Sequence, residues 1–128
     1  MSVLTWRDAA MQHAKQQDPN ESCGLLVELA PDAVIYWPCR NMANSGEEFA
    51  MDPLDYAAAE DSGTVLAIIH SHPGGSIEPS RLDIRGIQLS GLSWFIIDPR
   101  TEQWSNEYHP SVWAASEVHR AAGIQGSN

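Results

Sequence analysis

An apolar run, Thr64-Val-Leu-Ala-Ile-Ile69, ends on two histidines separated by one serine, and this junction constrains the chain more than any other stretch. The run is rich in β-branched residues and is bounded by Ser62-Gly63 and Pro73-Gly74-Gly75, which predicts a buried strand. Side chains alternate along a strand, so His70 and His72 share one face at its end. Two imidazoles side by side, opening onto a glycine-rich loop, chelate a metal once a third ligand joins them. Pro79-Ser80 followed by Arg81-Leu82-Asp83 reads as a helix start, with Ser80 as N-cap and Asp83 at the third helical position. The loop from Pro73 to Pro79 is long enough to turn that start back over the strand end, and the helix N-terminus keeps a first-turn carboxylate ionised. His70, His72 and Asp83 leave a fourth tetrahedral position to water, the arrangement of a catalytic rather than a structural zinc site. Ser80-x-x-Asp83 is equally an ordinary capping arrangement that needs no metal. Capping does not account for two histidines on one strand face.

The 128 residues are the size of one domain, and 43% hydrophobic content suits a globular protein. A net charge of −10 argues against nucleic acid or an anionic membrane as partner, because both are held by clustered Lys and Arg. No apolar run approaches the roughly 20 residues that span a bilayer, and no basic segment followed by an apolar core marks a signal peptide. Cys23 and Cys39 are too few for a disulfide framework; reduced, buried thiols in a cytoplasmic protein are the expectation. Neither thiol has an evident activating base, so a cysteine protease is not expected.

Thr5 to Asp8 opens a helix on which Trp6, Ala9, Ala10, His13 and Ala14 recur at helical spacing, and Asp18-Pro19 stops it. His13 reads as a half-buried packing residue. A hairpin follows, Cys23 to Leu29 and Ala33 to Arg40 about a turn at Ala30-Pro31-Asp32, then a loop and a short strand from Glu47 to Met51. Asp52-Pro53 opens a second helix that Gly63 ends. After the central strand come a helix from Ser80 to about Ser90, closed by Gly91, and a second hairpin, Leu92 to Ile97 and Gln103 to Tyr108. A helical pattern from Val112 to Ala122 precedes a polar end, about 123–128, expected to fray. Ser71 reads as a hydrogen-bonding strand residue, Glu78 as solvated, His109 and His119 as without ligand partners, and Trp94, Trp104 and Trp113 as core or sheet cover. The order predicts an α/β sandwich with a mixed sheet flanked by helices.

His70-Ser71-His72, seven residues, Ser80, two residues, Asp83 resembles the JAMM signature of the MPN/JAB metalloprotease family. That family also has an upstream glutamate, and Glu21 in Asn20-Glu21-Ser22-Cys23-Gly24-Leu25-Leu26 is similar to its setting; from position alone Glu21 is a loop residue without a role. The likeness runs from about Trp6 to Tyr108. Within the family it is to the JAB domain of tail-assembly proteins of tailed phages, through Glu21-Ser-Cys-Gly-Leu-Leu, Cys39-Arg-Asn, Phe49-Ala-Met-Asp-Pro-Leu-Asp-Tyr56 and Trp94-Phe-Ile-Ile-Asp98.

The resemblance implies a single JAB/MPN metallopeptidase domain of the cytidine-deaminase-like α/β class, with one Zn2+ on His70, His72 and Asp83. It further implies Glu21 as general base and Ser80 as hydrogen-bond donor to the oxyanion, acting on a peptide or isopeptide bond. The substrates it suggests are a protein precursor, such as a phage tail protein, or the C-terminus of a ubiquitin-like protein. A chain this short lacks room for the large extra segments with which eukaryotic deubiquitinating relatives grip ubiquitin. Related tail proteins often carry an NlpC-type peptidase domain after the JAB domain, which makes a separate NlpC-type peptidase a further expected partner. Two alternatives stay open: a zinc-stabilised assembly module of a phage tail with little turnover, and a metal-free fold with a vestigial site. Ligand type alone does not separate zinc from other divalent metals.

Overall fold

Thr5 opens the first helix by accepting a hydrogen bond on its hydroxyl from Asp8 N at 3.0 Å, the cap expected of a threonine there. The computed structural model describes residues 4–43, 46 and 48–112. Its elements are α1 (Trp6–Gln17), β1 (Cys23–Ala30), β2 (Ala33–Cys39), α2 (Pro53–Ser62), β3 (Thr64–Ser71), α3 (Arg81–Ser90), β4 (Ser93–Asp98) and β5 (Gln103–Trp104), followed by a 3-10 turn at Pro110–Val112. The helix ends follow local chemistry. Asp52 accepts from Leu54 N with Pro53 at the first helical position, and Gly91 closes α3 in the left-handed region at φ 68°.

The strands form one sheet in the order β2-β1-β3-β4-β5, with β3 and β4 parallel and the other neighbours antiparallel. Parallel neighbours need a crossover, and α3 provides it. This is the mixed α/β sheet the element order predicts. Strand alternation divides the core in two. Leu26, Tyr36, Ala67, Ile69, Phe95 and Ile97 pack with Ala10, Met11 and Ala14 of α1. Cys23, Leu25, Val27, Ile68 and Trp94 pack with Ala59 of α2 and Ile87 of α3 on the other face. His13 belongs to the α1 side, where its Nδ1 lies 2.6 Å from the Tyr36 hydroxyl; as expected, it is a half-buried packing residue. Pro38 stands in β2, an edge strand, where a sheet tolerates a residue without an N–H.

Two expected strands are shorter than the sequence suggests, each because a side chain replaces the ladder. Between Glu48 and Met51 only Met51 pairs, bridging to Asn41. The Asn41 side-chain oxygen accepts from both Ala43 N and Ala50 N at 2.9 Å, so that loop is organised around an amide and not a neighbouring strand. Likewise β5 covers Gln103–Trp104 alone. Ile96 N donates to the Ser105 hydroxyl at 2.9 Å, which interrupts the hairpin before Tyr108 bridges to Trp94. The expected helix from Val112 to Ala122, with Trp113 and His119, and the tail at 123–128 lie outside the described residues. Both cysteines are free thiols, opposite each other on β1 and β2 and buried. Burial pushes each thiol up to about 12, in keeping with the absence of an activating base. No helix among the described residues is long and apolar enough to cross a membrane.

Ser71 is fully buried at the end of β3. Its N–H donates to Ser22 O at 3.1 Å, and its hydroxyl accepts from Ser22 N at 2.7 Å. This double clasp joins the entry of β1 to the end of β3. Replacing Ser71→Ala strands a buried backbone N–H, so the variant should lose about 1–3 kcal/mol. A lowered urea midpoint at unchanged slope is the expected result.

Candidate metal centre

The pairing of β1 with β3 builds the site. Cys23 stands opposite His70, so in antiparallel register the residue two before Cys23 meets the residue two after His70. Those residues are Glu21 and His72. His70 is fully buried on the face that packs against α2 and α3, while His72 follows the strand and is partly open. The loop after His72 then delivers the first turn of α3, and with it Asp83.

Asp83 faces both imidazoles. Its Oδ1 lies 3.0 Å from His70 Nε2 and its Oδ2 lies 3.0 Å from His72 Nε2, while the two Nε2 atoms are 3.2 Å apart. Donors about 2.0–2.1 Å from a tetrahedral ion stand about 3.3–3.4 Å from one another; the contacts here are a few tenths of an ångström shorter, so small outward shifts of these side chains would admit a divalent metal. Glu21 is close too: its carboxylate and the two imidazoles each present a ligand atom within 4.8 Å of the others. The same Asp83 carboxylate accepts from Ser80 N at 2.9 Å, and the Ser80 hydroxyl accepts from Asp83 N at 3.0 Å. Capping box and histidine contact therefore coexist on one side chain.

The proton on His72 can be placed. Its Nδ1 lies 2.5 Å from Ser76 O, and a carbonyl oxygen only accepts, so Nδ1 carries the hydrogen. Neutral His72 then turns a bare Nε2 lone pair toward a carboxylate oxygen at 3.0 Å and a second imidazole nitrogen at 3.2 Å. That arrangement is repulsive unless a cation stands among the three groups, either a second proton on His72 or a metal ion. His70 is supported differently. Its Nδ1 is buried with no hydrogen-bond partner among the described residues, and packing holds the ring: Phe49 lies 4.7 Å away and Trp94 makes an edge contact at 5.3 Å.

Electrostatics separate the four groups. Burial would raise the Asp83 carboxyl, but its bonds to His70, His72 and Ser80 hold it well below the usual carboxylate range. Burial lowers His70 despite Asp83 beside it. For His72 burial acts downward too, yet the bonds to Asp83 and Ser76 and the charges of Asp83 and Glu21 outweigh it and raise the imidazole. Burial pushes Glu21 up to about 7, opposed by His72 and reinforced by Asp83 and Glu48. A carboxyl near neutrality beside a cation site is a group able to both take and return a proton.

The remaining sequence-predicted residues fall as follows. Ser80 is exposed at the cap of α3; its oxygen accepts from Asp83 N, and its hydroxyl proton is left to donate. It lines an open cleft of about 250 Å³ together with Glu21, His72 and the Pro73–Gly75 turn. Ser71 makes the strand hydrogen bond expected of it, and Glu78 is exposed. Trp94 is core, as expected, but also touches His70 and lines a pocket beside Ser80 and Asp83. Three residues escaped sequence reading. Asn41 donates to Glu21 O at 3.0 Å and ties that residue to the following loop. Phe49 stacks on His70. Asp98 accepts from Gly74 N at 3.0 Å and Arg100 N at 2.9 Å, which pins the turn after His72 where Gly74 takes φ 72°. Only Asp98, before a proline at a turn, carried a local signal.

The profile of the prokaryotic homologues of the JAB domain matches residues 4–115. The tail tip assembly protein K of Escherichia phage N15 is 45% identical over 91 residues, 70% of this chain and 37% of that protein. Its namesake from Escherichia phage lambda is 40% identical over 47 residues, 37% of this chain and 24% of that protein. The matches thus span between about a quarter and a little more than a third of the length of these curated relatives. Among solved structures, protein DSY2949 from Desulfitobacterium hafniense superposes with a TM-score of 0.63 at 30% identity, covering 78% of this chain and 75% of the other. The JAB1/MPN domain protein AF2198 from Archaeoglobus fulgidus shares the fold, with a TM-score of 0.54 at 22% identity over 83% and 85% of the two chains. With a match spanning nearly all of its described residues, this chain belongs to the family of prokaryotic JAB-domain homologues.

Proposed function

We propose that this domain is a zinc-dependent peptidase, with the metal on His70, His72 and Asp83, Glu21 as general base and Ser80 as oxyanion donor. The observation that carries the reading is the convergence of ligand atoms: the Nε2 atoms of His70 and His72 lie 3.2 Å apart and each 3.0 Å from an Asp83 oxygen, with the Glu21 carboxylate within 4.8 Å of the imidazole ligand atoms. A zinc ion bound there supplies Lewis acidity, which brings water toward hydroxide at neutral pH. Glu21, raised to about 7 by burial, takes the proton of the attacking water and returns one to the leaving amine. In the loaded protein the nearby dication holds that carboxyl lower than in the metal-free one. Ser80 donates its hydroxyl proton to the oxygen of the attacked carbonyl. Asp83, anchored by the cap of α3, fixes both imidazoles and keeps the metal position rigid.

The cleft by Glu21 and His72 is open, which admits an extended backbone, and with the family likeness this supports a peptide or isopeptide bond of a protein as the substrate. The names of the phage relatives favour a tail protein precursor; a ubiquitin-like C-terminus satisfies the same chemistry. They also favour a second reading, a metal-stabilised assembly module with little turnover, on which the partner would be a tail protein or a separate NlpC-type peptidase.

Purified protein should hold about one zinc per chain, lost in His72→Ala and Asp83→Ala at retained folding by circular dichroism. A chain that takes up no zinc when it is supplied contradicts the reading. Affinity should depend on pH with a definite sign. His72 must give up its second proton to bind, so each unit of pH below its raised pKa weakens zinc binding about tenfold, with a plateau above. Competition with a chelator between pH 5 and 8 reads this directly. Glu21→Gln should retain zinc and lose about 10²–10⁴-fold in kcat on a cleavable protein. Retained zinc and retained turnover together would remove Glu21 from the chemistry. Zinc without turnover in the wild type, with capture of a tail protein, would favour the assembly module.

A further inference from the structure

Beside the candidate metal centre, sharing Ser80 with the Glu21 cleft, lies a pocket of about 300 Å³ lined by Glu48, Phe49, Ser80, Leu82, Asp83, Gly86 and Trp94. Its walls are made of large apolar side chains. Phe49 and Trp94 lie with ring centroids 5.7 Å apart, and Leu82, on the first turn of α3, is 62% exposed. Gly86 follows one turn later on the same helix. A Cβ there would come within 2.5 Å of Trp94 Cη2, so the missing side chain lets the indole lie against α3 and floor the pocket. Glu48 is exposed at the pocket and makes no ion pair with any described residue.

We propose that this pocket is a specificity subsite that receives a lysine or arginine side chain of the substrate, adjacent to the bond that is cut. The inference rests on the peptidase reading for the bond and on the pocket's own walls for the side chain. Ser80 and Asp83 belong to both pocket and metal centre, so an occupant lies within a residue or so of the attacked carbonyl. Lysine and arginine carry long methylene stems that bury along apolar surface while their charged ends stay at the opening. Phe49, Trp94 and Leu82 provide that surface, and Glu48, without an ion pair among the described residues, provides an anion for the charged end. A chain with net charge −10 also steers basic peptides toward itself. A neutral aliphatic or aromatic side chain fits the walls but leaves Glu48 without a partner.

The test is a peptide library digested by zinc-loaded protein, with cut sites read by mass spectrometry. It is followed by matched peptides carrying lysine, arginine, norleucine or phenylalanine at the selected position. Lysine and arginine should be preferred over norleucine by about fivefold to tenfold in kcat/KM, the range of a partly desolvated cation contact. Glu48→Gln should abolish the preference, mainly through KM, and Glu48→Lys should reverse it. Equal cleavage of lysine and norleucine peptides, or a preference that survives Glu48→Gln, overturns the proposal. If no peptide is cut, the peptidase reading fails on its own, and binding decides the pocket. N-acetyl-lysine amide and N-acetyl-norleucine amide are then titrated into zinc-loaded Glu21→Gln protein, following the Gly86 amide by NMR. Tighter binding of the lysine compound, lost in Glu21→Gln combined with Glu48→Gln, upholds the subsite; equal or absent binding refutes it.

Discussion

Because β1 and β3 run antiparallel with Cys23 opposite His70, the approach of Glu21 to the two histidines is a consequence of strand pairing. The double hydrogen bond between Ser22 and Ser71 locks that register at the last pair of the ladder. A slip of one residue would turn His70 and His72 to the α1 face, away from Asp83, and carry Glu21 out of reach. Two buried serines therefore fix where a glutamate and a histidine meet. These residues are held by backbone in the middle of a sheet, the least mobile part of a small domain.

Asp83 joins the second half of the site to the first. A carboxylate at the third helical position ordinarily serves its own helix, and here it also faces two imidazoles. The demands reinforce one another. The cap orients the carboxylate, the helix N-terminus favours its charge, and the histidines lie where its two oxygens point. Loss of Asp83 would loosen the start of α3 as well as the contact with the two histidines, so measurements on that variant need a folding control.

His70, His72, Ser80 and Asp83 were legible in the sequence because they lie in one continuous segment whose periodicity and capping can be read locally. Glu21 was not legible that way. Its place depends on which strands pair and in what register, which no local pattern reveals, and the resemblance alone singled it out. The element order gave the mixed sheet, yet two strands were overcalled where Asn41 and Ser105 spend side-chain groups on backbone partners. Asn41, Phe49 and Asp98 stayed hidden for a related reason: each supports the site from a segment that is remote in sequence and acts through one directed contact. Trp94 read correctly as core, but a buried residue can also present one edge to a cavity, and burial patterns do not show which edge.

The sheet edges have a consequence for how such a domain tolerates crowding. β2 carries Pro38, and β5 is only two residues long before Ser105 diverts its backbone bonds. The β5 edge thus offers an incoming strand no long run of amide and carbonyl groups, and on the seven-residue β2 edge Pro38 removes one amide near the end. Both features work against edge-to-edge zipping of neighbouring copies and leave contacts between them to side chains, which can be selective where backbone pairing is not.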